Sequence, residues 1–247
     1  MPGSQAPGDG VDRFRLFQDL AGPHLHRLSS RLKVRHFRVG EFVVQMGERA
    51  ETLYFLDAGA VKVSTISPTG EERILDVLKA GDTLGELFIG PADRWTALAQ
   101  AVSPLTVRTI QREAFVGLMR ADPIVCLNYI HHLVEQQRRI HARLEALVHS
   151  DPGLRVLALL AGLADRGERA PGDRYTLPAK LTQGDLARMI GLNRSTVSML
   201  INAYRRRGLL GGERGTLVIH WGRVRAVLRR AGLTVAAPSG PPRGGWW

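Results

Sequence analysis

The chain has 247 residues, 44% of them hydrophobic, and a formal net charge of +11. That length suits one large or two ordinary domains with a substantial buried core. A single cysteine, Cys126, excludes an internal disulfide and any cysteine-clustered iron–sulfur or zinc site, and no apolar run approaches the roughly 18 to 20 residues of a membrane helix.

The charge is confined to one end. Gly153 to Trp247 carries 16 Lys/Arg against 5 Asp/Glu, whereas Met1 to Pro152 carries 18 of each. The whole excess therefore lies in the last 95 residues. A compact basic domain joined to a neutral one is the footprint expected of phosphate binding. Met1 to Gly10 is rich in Pro, Gly and Ser and lacks the apolar stretch of a secretory signal, which points to the cytoplasm. Residues 1–11 are expected to be disordered, as is the tail 233–247 with its terminal Trp246-Trp247.

Residues 12–120 read as one domain. Arg13 to Leu32 gives two short amphipathic helices, with Phe14, Phe17 and Leu20 on the first and Leu25, Leu28 and Leu32 on the second. From Val34 to Gln111 the hydrophobic period shortens to 2. Short β-type runs recur at Phe42–Val44, Leu53–Leu56, Val61–Ser64, Ile74–Leu78, Ala97–Val102 and Leu105–Ile110, separated by turn residues. That pattern predicts an antiparallel barrel or jelly roll. A metal-binding enzyme barrel needs a cluster of His and carboxylate ligands, and His36 is the sole histidine of this stretch. No metal site and no catalytic constellation is expected.

Within the barrel comes Gly81-Asp82-Thr83-Leu84-Gly85-Glu86-Leu87-Phe88, then Asp93-Arg94-Trp95-Thr96. Gly85 allows close backbone approach to a ligand. Glu86 can accept from a sugar hydroxyl, and a nearby arginine can pair with a phosphate. A turn with a surface ion pair explains the same residues equally well.

A short helix follows at Glu113–Leu118, and a long one opens at Asp122-Pro123 and fills residues 121–150. Its apolar positions follow a heptad: Ile130, Gln137 and Leu144 at a, and Cys126, Leu133, Ile140 and Leu147 at d. This is a coiled-coil seam with one polar a position, expected to pair two copies of the chain. Asp151-Pro152-Gly153 breaks the helix as a hinge. Residues 153–232 form the basic domain, with an exposed loop at Arg166–Arg174 and a closing helix at Arg223–Arg230.

In that domain, Leu181 to Leu209 predicts two helices joined by a tight turn. Thr182 and Asp185 have capping-box spacing. Leu186, Ala187 and Ile190 make an apolar stripe, and Gly191 ends the helix. Asn193 caps the second helix, which buries Val197, Leu200, Ile201 and Tyr204. Its other face offers Arg194, Ser195, Ser198, Met199, Asn202 and Arg205, residue types that read base edges in a major groove. Leu209-Leu210 and Thr216–His220 flank a glycine-rich turn as a wing. The DNA-binding set is Thr182, Gln183, Arg194, Ser195, Thr196, Ser198, Met199, Arg205 and the wing residue Arg214. Arg194, Ser195, Ser198 and Met199 face bases, and Gln183, Thr196 and Arg205 face phosphates.

Barrel, GDTLGEL, long helix, hinge and winged helix-turn-helix, in this order, resemble the CRP/FNR family of bacterial transcription regulators over about residues 12 to 222. The most specific segments are FVVQMGERAETLYFLDAGAVKV from Phe42, GDTLGEL and LTQGDLARMIGLNRSTVS. The resemblance implies an α+β chain: an N-terminal β-roll of cyclic-nucleotide-binding type, a dimerisation helix and a DNA-binding domain. It implies a homodimer on two-fold symmetric double-stranded DNA. The Arg166–Arg174 loop matches by position the surface that contacts RNA polymerase. Lacking N-terminal cysteines, the chain is closer to the cyclic-AMP receptor branch than to the iron–sulfur branch. In that branch the nucleotide is held by a Gly-Glu pair, an Arg-Ser pair and a Thr-Ser pair. Gly85 and Glu86, with Leu87 after them, match the first. The second falls near Arg94, Trp95 and Thr96, where Trp95 either interrupts the pair or replaces its arginine. The third falls on Ile140 and His141. Cyclic AMP, another anionic effector and no effector at all stay open. In the second helix, Arg194 matches the branch's guanine-reading arginine, while Ser195 and Met199 stand where it has Glu and Arg.

Overall fold

The computed structural model describes residues 11, 14–20, 22–90, 94–148, 151–164, 168–177, 181–212 and 216–233. The expected flexible ends, apart from Val11 and Leu233, lie outside these residues, as does Arg214. The chain divides into two compact units, residues 1–65 with 77–136, and residues 66–76 with 137–243.

Residues 33–111 form a jelly roll of two four-stranded antiparallel sheets, most of it in the first unit. Its strands are β1 (Lys33–Phe37), β2 (Phe42–Val44), β3 (Thr52–Ala58), β4 (Ala60–Ile66), β5 (Glu72–Lys79), β6 (Thr83–Leu84), β7 (Leu98–Ala101) and β8 (Leu105–Gln111). One sheet runs β1-β8-β3-β6 and the other β2-β7-β4-β5. Every expected β-run is a strand, and β1 and β6 are additions. β1 escapes a periodicity reading because four of its five residues are exposed. Between the sheets Val44, Leu56, Val61, Leu84, Ala99 and Val107 form one core cluster.

A second cluster covers the outer face of β3. It joins Phe55 to Phe14 and Phe17, ring centroids 5.1 and 4.9 Å away, and to Phe115 of α2 (Arg112–Ala121) and Tyr129 of α3 (Pro123–Val148). The first expected N-terminal helix is only a 3₁₀ turn, Arg15–Phe17, before α1 (Gly22–Ser29). The seven residues between Phe14 and the start of α1 at Gly22 are too few for a regular α-helical stripe, and Phe14, Phe17 and Leu20 are buried through this compact turn instead. Val11, expected in the disordered end, is buried in the same cluster.

The second unit holds α4 (Pro152–Ala164), β9 (Glu168–Ala170), β10 (Arg174–Thr176), α5 (Gln183–Ile190), α6 (Arg194–Arg206), β11 (Leu210–Gly211), β12 (Val218–His220) and α7 (Trp221–Arg230). α4 is its buried centre, with Val156, Leu157, Leu160 and Leu163 almost wholly enclosed. The strands form one sheet, β11-β12-β10-β9. Residues 168–174, expected as part of an exposed loop, are thus mostly a β-hairpin turning at residues 171–173. Its strands are three residues each and polar, too short for alternation to show. Leu233, placed in the expected tail, is buried.

Candidate DNA interface and effector pocket

Local sequence builds the helix-turn-helix. The Thr182 hydroxyl accepts from the Asp185 amide at 3.1 Å, and the Asp185 carboxylate accepts from the Thr182 amide at 2.9 Å. This capping box starts α5, and Gly191 (φ 63°) ends it in the left-handed region, where a side chain is disfavoured. Burial tends to raise the Asp185 pKa, but hydrogen bonds from Arg188 and Thr182 hold it below the usual carboxylate range. Leu186, Ala187, Met189 and Ile190 bury one face of α5. Val197, Ile201 and Tyr204 bury one face of α6, and Leu200 is only half-buried. Asn193 stands at the N-cap of α6 as expected, but its side chain makes no capping hydrogen bond.

The opposite face of α6 is open. Arg194, Ser195, Met199, Asn202 and Arg205 are exposed, and Thr196 and Ser198 are half-buried at its edges. Thr182 is exposed and Gln183 half-buried at the start of α5. The Thr182 hydroxyl is committed to the capping box, so its side chain serves the helix first.

The expected effector residues are placed differently. After β6 the backbone at Gly85 takes φ 105°. A Cβ there would lie 2.7 Å from the Thr52 carbonyl and 3.2 Å from the Trp95 indole. Trp95 therefore lies over Gly85. Its backbone is clamped by Gly47 and Glu48, each through a 2.8 Å hydrogen bond. Neighbouring side chains alternate in direction along such a segment. Arg94 and Thr96 are accordingly exposed, and the Arg94 guanidinium donates to the Gly47 carbonyl at 2.7 Å. An uncharged indole thus stands against Gly85, and Arg94 does not. The side chain of Leu87 lies outside what is described.

Glu86 is already engaged. Its carboxylate accepts from the Thr83 hydroxyl and from Gln136 Nε2 at 2.8 Å, and His132 Nε2 lies 3.1 Å away. His132 Nε2 is also 2.9 Å from the Thr83 hydroxyl. The Tyr129 phenol donates to the Glu86 carbonyl. Burial pushes the Glu86 pKa up, but His132, through hydrogen bond and charge, and Thr83 outweigh it and hold the group below its ordinary value. Burial, and then the Glu86 charge, push the Tyr129 phenol well up. Thr83, Tyr129, His132 and Gln136 were not among the expected site residues. Their signal was present: Tyr129, His132 and Gln136 share one side of α3 at spacings of three and four.

This arrangement does not fit a cyclic nucleotide. A phosphate needs a donor-rich, positive cradle, and the residues here present an indole over Gly85 and a carboxylate whose Oε1 already meets Thr83, His132 and Gln136. Ile140 and His141 are exposed on α3; an isoleucine cannot supply the hydroxyl of a Thr-Ser pair.

The free face of α3 is apolar. Leu127, Ile130, Val134, Ile140, Leu144 and Val148 are exposed, Ile140 at 57%. Of the expected seam, the a positions Ile130, Gln137 and Leu144 are exposed. Of its d positions, Leu133 and Ile140 are exposed, while Tyr129, His132 and Gln136 take the neighbouring face. The exposed 3–4 pattern is Leu127, Ile130, Val134, Gln137, His141, Leu144 and Val148. Cys126 and Leu147 are half-buried, Leu133 borders the stripe, and the Cys126 thiol donates to the Met119 carbonyl at 3.3 Å.

Among the described residues, no group of three or more His, Cys, Asp or Glu could hold a metal ion, and no helix is long and apolar enough to cross a membrane. A family model for the cyclic nucleotide-binding domain matches residues 34–122, and one for the Crp-like helix-turn-helix domain matches residues 154–226. The CRP-like cAMP-activated global transcriptional regulator of Mycobacterium tuberculosis is 26% identical over 207 residues, covering 84% of this chain and 92% of that one. The cAMP-activated global transcriptional regulator CRP of Pasteurella multocida is 26% identical over 198 residues, covering 80% and 90%. In fold, the chain is similar to FixK2 from Bradyrhizobium japonicum (TM-score 0.70, 21% identity, 83% of this chain and 98% of that one). It is also similar to a CooA mutant from Carboxydothermus hydrogenoformans (TM-score 0.65, 21% identity, 85% and 91%). The curated relatives are transcriptional regulators and not enzymes, and this chain carries both matched domains: it belongs to the CRP/FNR family of bacterial transcription regulators.

Proposed function

We propose that the chain is a homodimeric, sequence-specific DNA-binding transcription regulator of the cytoplasm that binds its operator without cyclic AMP. One observation carries the second half of this reading: Trp95, not an arginine, lies against Gly85, beside a Glu86 already hydrogen-bonded by its own fold. The first half rests on the exposed face of α6 and on the charge of the basic end. Two copies pair through the apolar stripe of α3, because water-exposed Leu, Ile and Val at 3–4 spacing gain by being covered. Each dimer presents two copies of α6 to a two-fold symmetric site. Arg194, Ser195, Ser198 and Met199 face bases; Gln183, Thr196 and Arg205, with Arg214 of the wing, hold phosphates. The segment Arg166–Arg174 is the surface offered to RNA polymerase, which makes the protein an activator.

The test uses the purified full chain. Sedimentation should give a dimer, and selection from random duplexes should return a two-fold consensus whose affinity falls steeply with salt. A monomer, or a chain that enriches no duplex, rejects the reading.

Control by cyclic AMP is a second reading, favoured by the relatives that are cAMP-activated. It requires Trp95 to leave Gly85 and Glu86 to release its partners. Calorimetric titration of the chain with cyclic AMP separates the two: saturable heat supports this reading, and none rejects it.

A further inference from the structure

The open face of α6 is polar except at one place. Met199 is 63% exposed, and the residues beside it on that face, Ser195, Thr196 and Asn202, are small or polar. None of them shields the thioether. An unbranched apolar side chain of this size held in water gains when it is covered. Met199 has no hydrogen-bond donor for the guanine acceptors or adenine N7, and its thioether is only a weak acceptor for an exocyclic amine. The major-groove edges of the four base pairs carry a single apolar group, the 5-methyl of thymine. Ser195 and Met199 lie four residues apart on the same side of the helix, about 6 Å along its axis. The base pair that Met199 meets is therefore distinct from the one that Arg194 and Ser195 meet at the start of the helix.

We propose that Met199 selects a thymine in each half-site by apolar contact with its 5-methyl group. The proposal rests on the DNA-binding reading above and adds one specified base to it.

The experiment starts from the consensus selected by the full chain. Each thymine is replaced in turn by deoxyuridine, which removes one methyl group and leaves every hydrogen-bonding group in place. One thymine per half-site should lose about fourfold in affinity when its methyl is removed, the worth of one buried carbon. Met199→Ala should bind the thymine and deoxyuridine duplexes equally, and Met199→Leu should restore most of the difference. Because Met199 is exposed and alanine favours helix, both variants should keep the wild-type helicity by circular dichroism. A consensus with no methyl-sensitive thymine overturns the proposal, as does methyl sensitivity that persists unchanged in Met199→Ala. In both cases DNA binding itself still stands. If no duplex is enriched at all, the DNA-binding reading fails and takes this proposal with it.

Discussion

Glu86 and Arg194 are both charged side chains in motifs that stand out in the sequence, yet their surroundings are opposite. Glu86 sits in the first unit, half-buried, with Thr83, His132 and Gln136 around its carboxylate. Arg194 sits at the start of α6, exposed and without an ion-pair partner among the described residues. A ligand donor aimed at Glu86 Oε1 must displace protein bonds before it gains its own, so the net return there is small. An arginine held in water on a rigid helix exchanges only water for a base or phosphate. The first unit is thus built as a closed, self-satisfied framework, and the second presents an unpaired reading surface.

That contrast breaks most visibly at Glu86. Glu86→Ala should destabilise the first unit by about 3 kcal/mol, since removing one partner of a buried pair strands the other. Urea unfolding followed by intrinsic fluorescence measures it. A loss near zero would mean that the network holds nothing together. The same variant should leave the DNA consensus unchanged.

On the reading surface, Arg194→Ala should weaken operator binding by about 1 to 3 kcal/mol and relax the preference at one base pair. Competition binding over single-base operator variants gives both numbers. Uniform weakening on every sequence would instead make Arg194 a phosphate contact. A smaller effect is expected at the capping box. Thr182→Ala should lower the stability of the second unit by about 1 kcal/mol, read as a shift of its thermal midpoint.

The smallest effect lies in acid. The Glu86 pKa is held below its ordinary value in the folded state, so its contribution is fully present above the unfolded carboxylate pKa of about 4.3 and is lost as pH falls further. Stability of the wild type should therefore decline more steeply below that pH than stability of Glu86→Gln. Parallel acid limbs would show that Glu86 is not the linked group.

What was legible in the sequence was local. The Thr182 and Asp185 pairing spans three residues, and α5, α6 and the longer strands follow their hydrophobic periods. What was not legible depends on distant partners. Whether Arg94 or Trp95 points inward is decided by the backbone bonds of Gly47 and Glu48 to Trp95, about half the barrel away in sequence. Glu86 meets His132 and Gln136 of α3 only in the folded unit. A heptad does not reveal which side of a helix its own domain takes: Tyr129, His132 and Gln136 turn toward Glu86, while Leu133 and Ile140 stay exposed. Residues 168–176 hide two three-residue strands whose partners, apart from each other, come from the far end of the wing at Val218–His220.

The most direct test is fluorescence anisotropy of the purified full chain on its selected duplex, at fixed salt, with and without cyclic AMP. If Trp95 and Glu86 close the pocket as described here, the two binding curves superimpose. A consensus bound much more tightly with the nucleotide would show coupling between the sites, and would contradict the closed pocket.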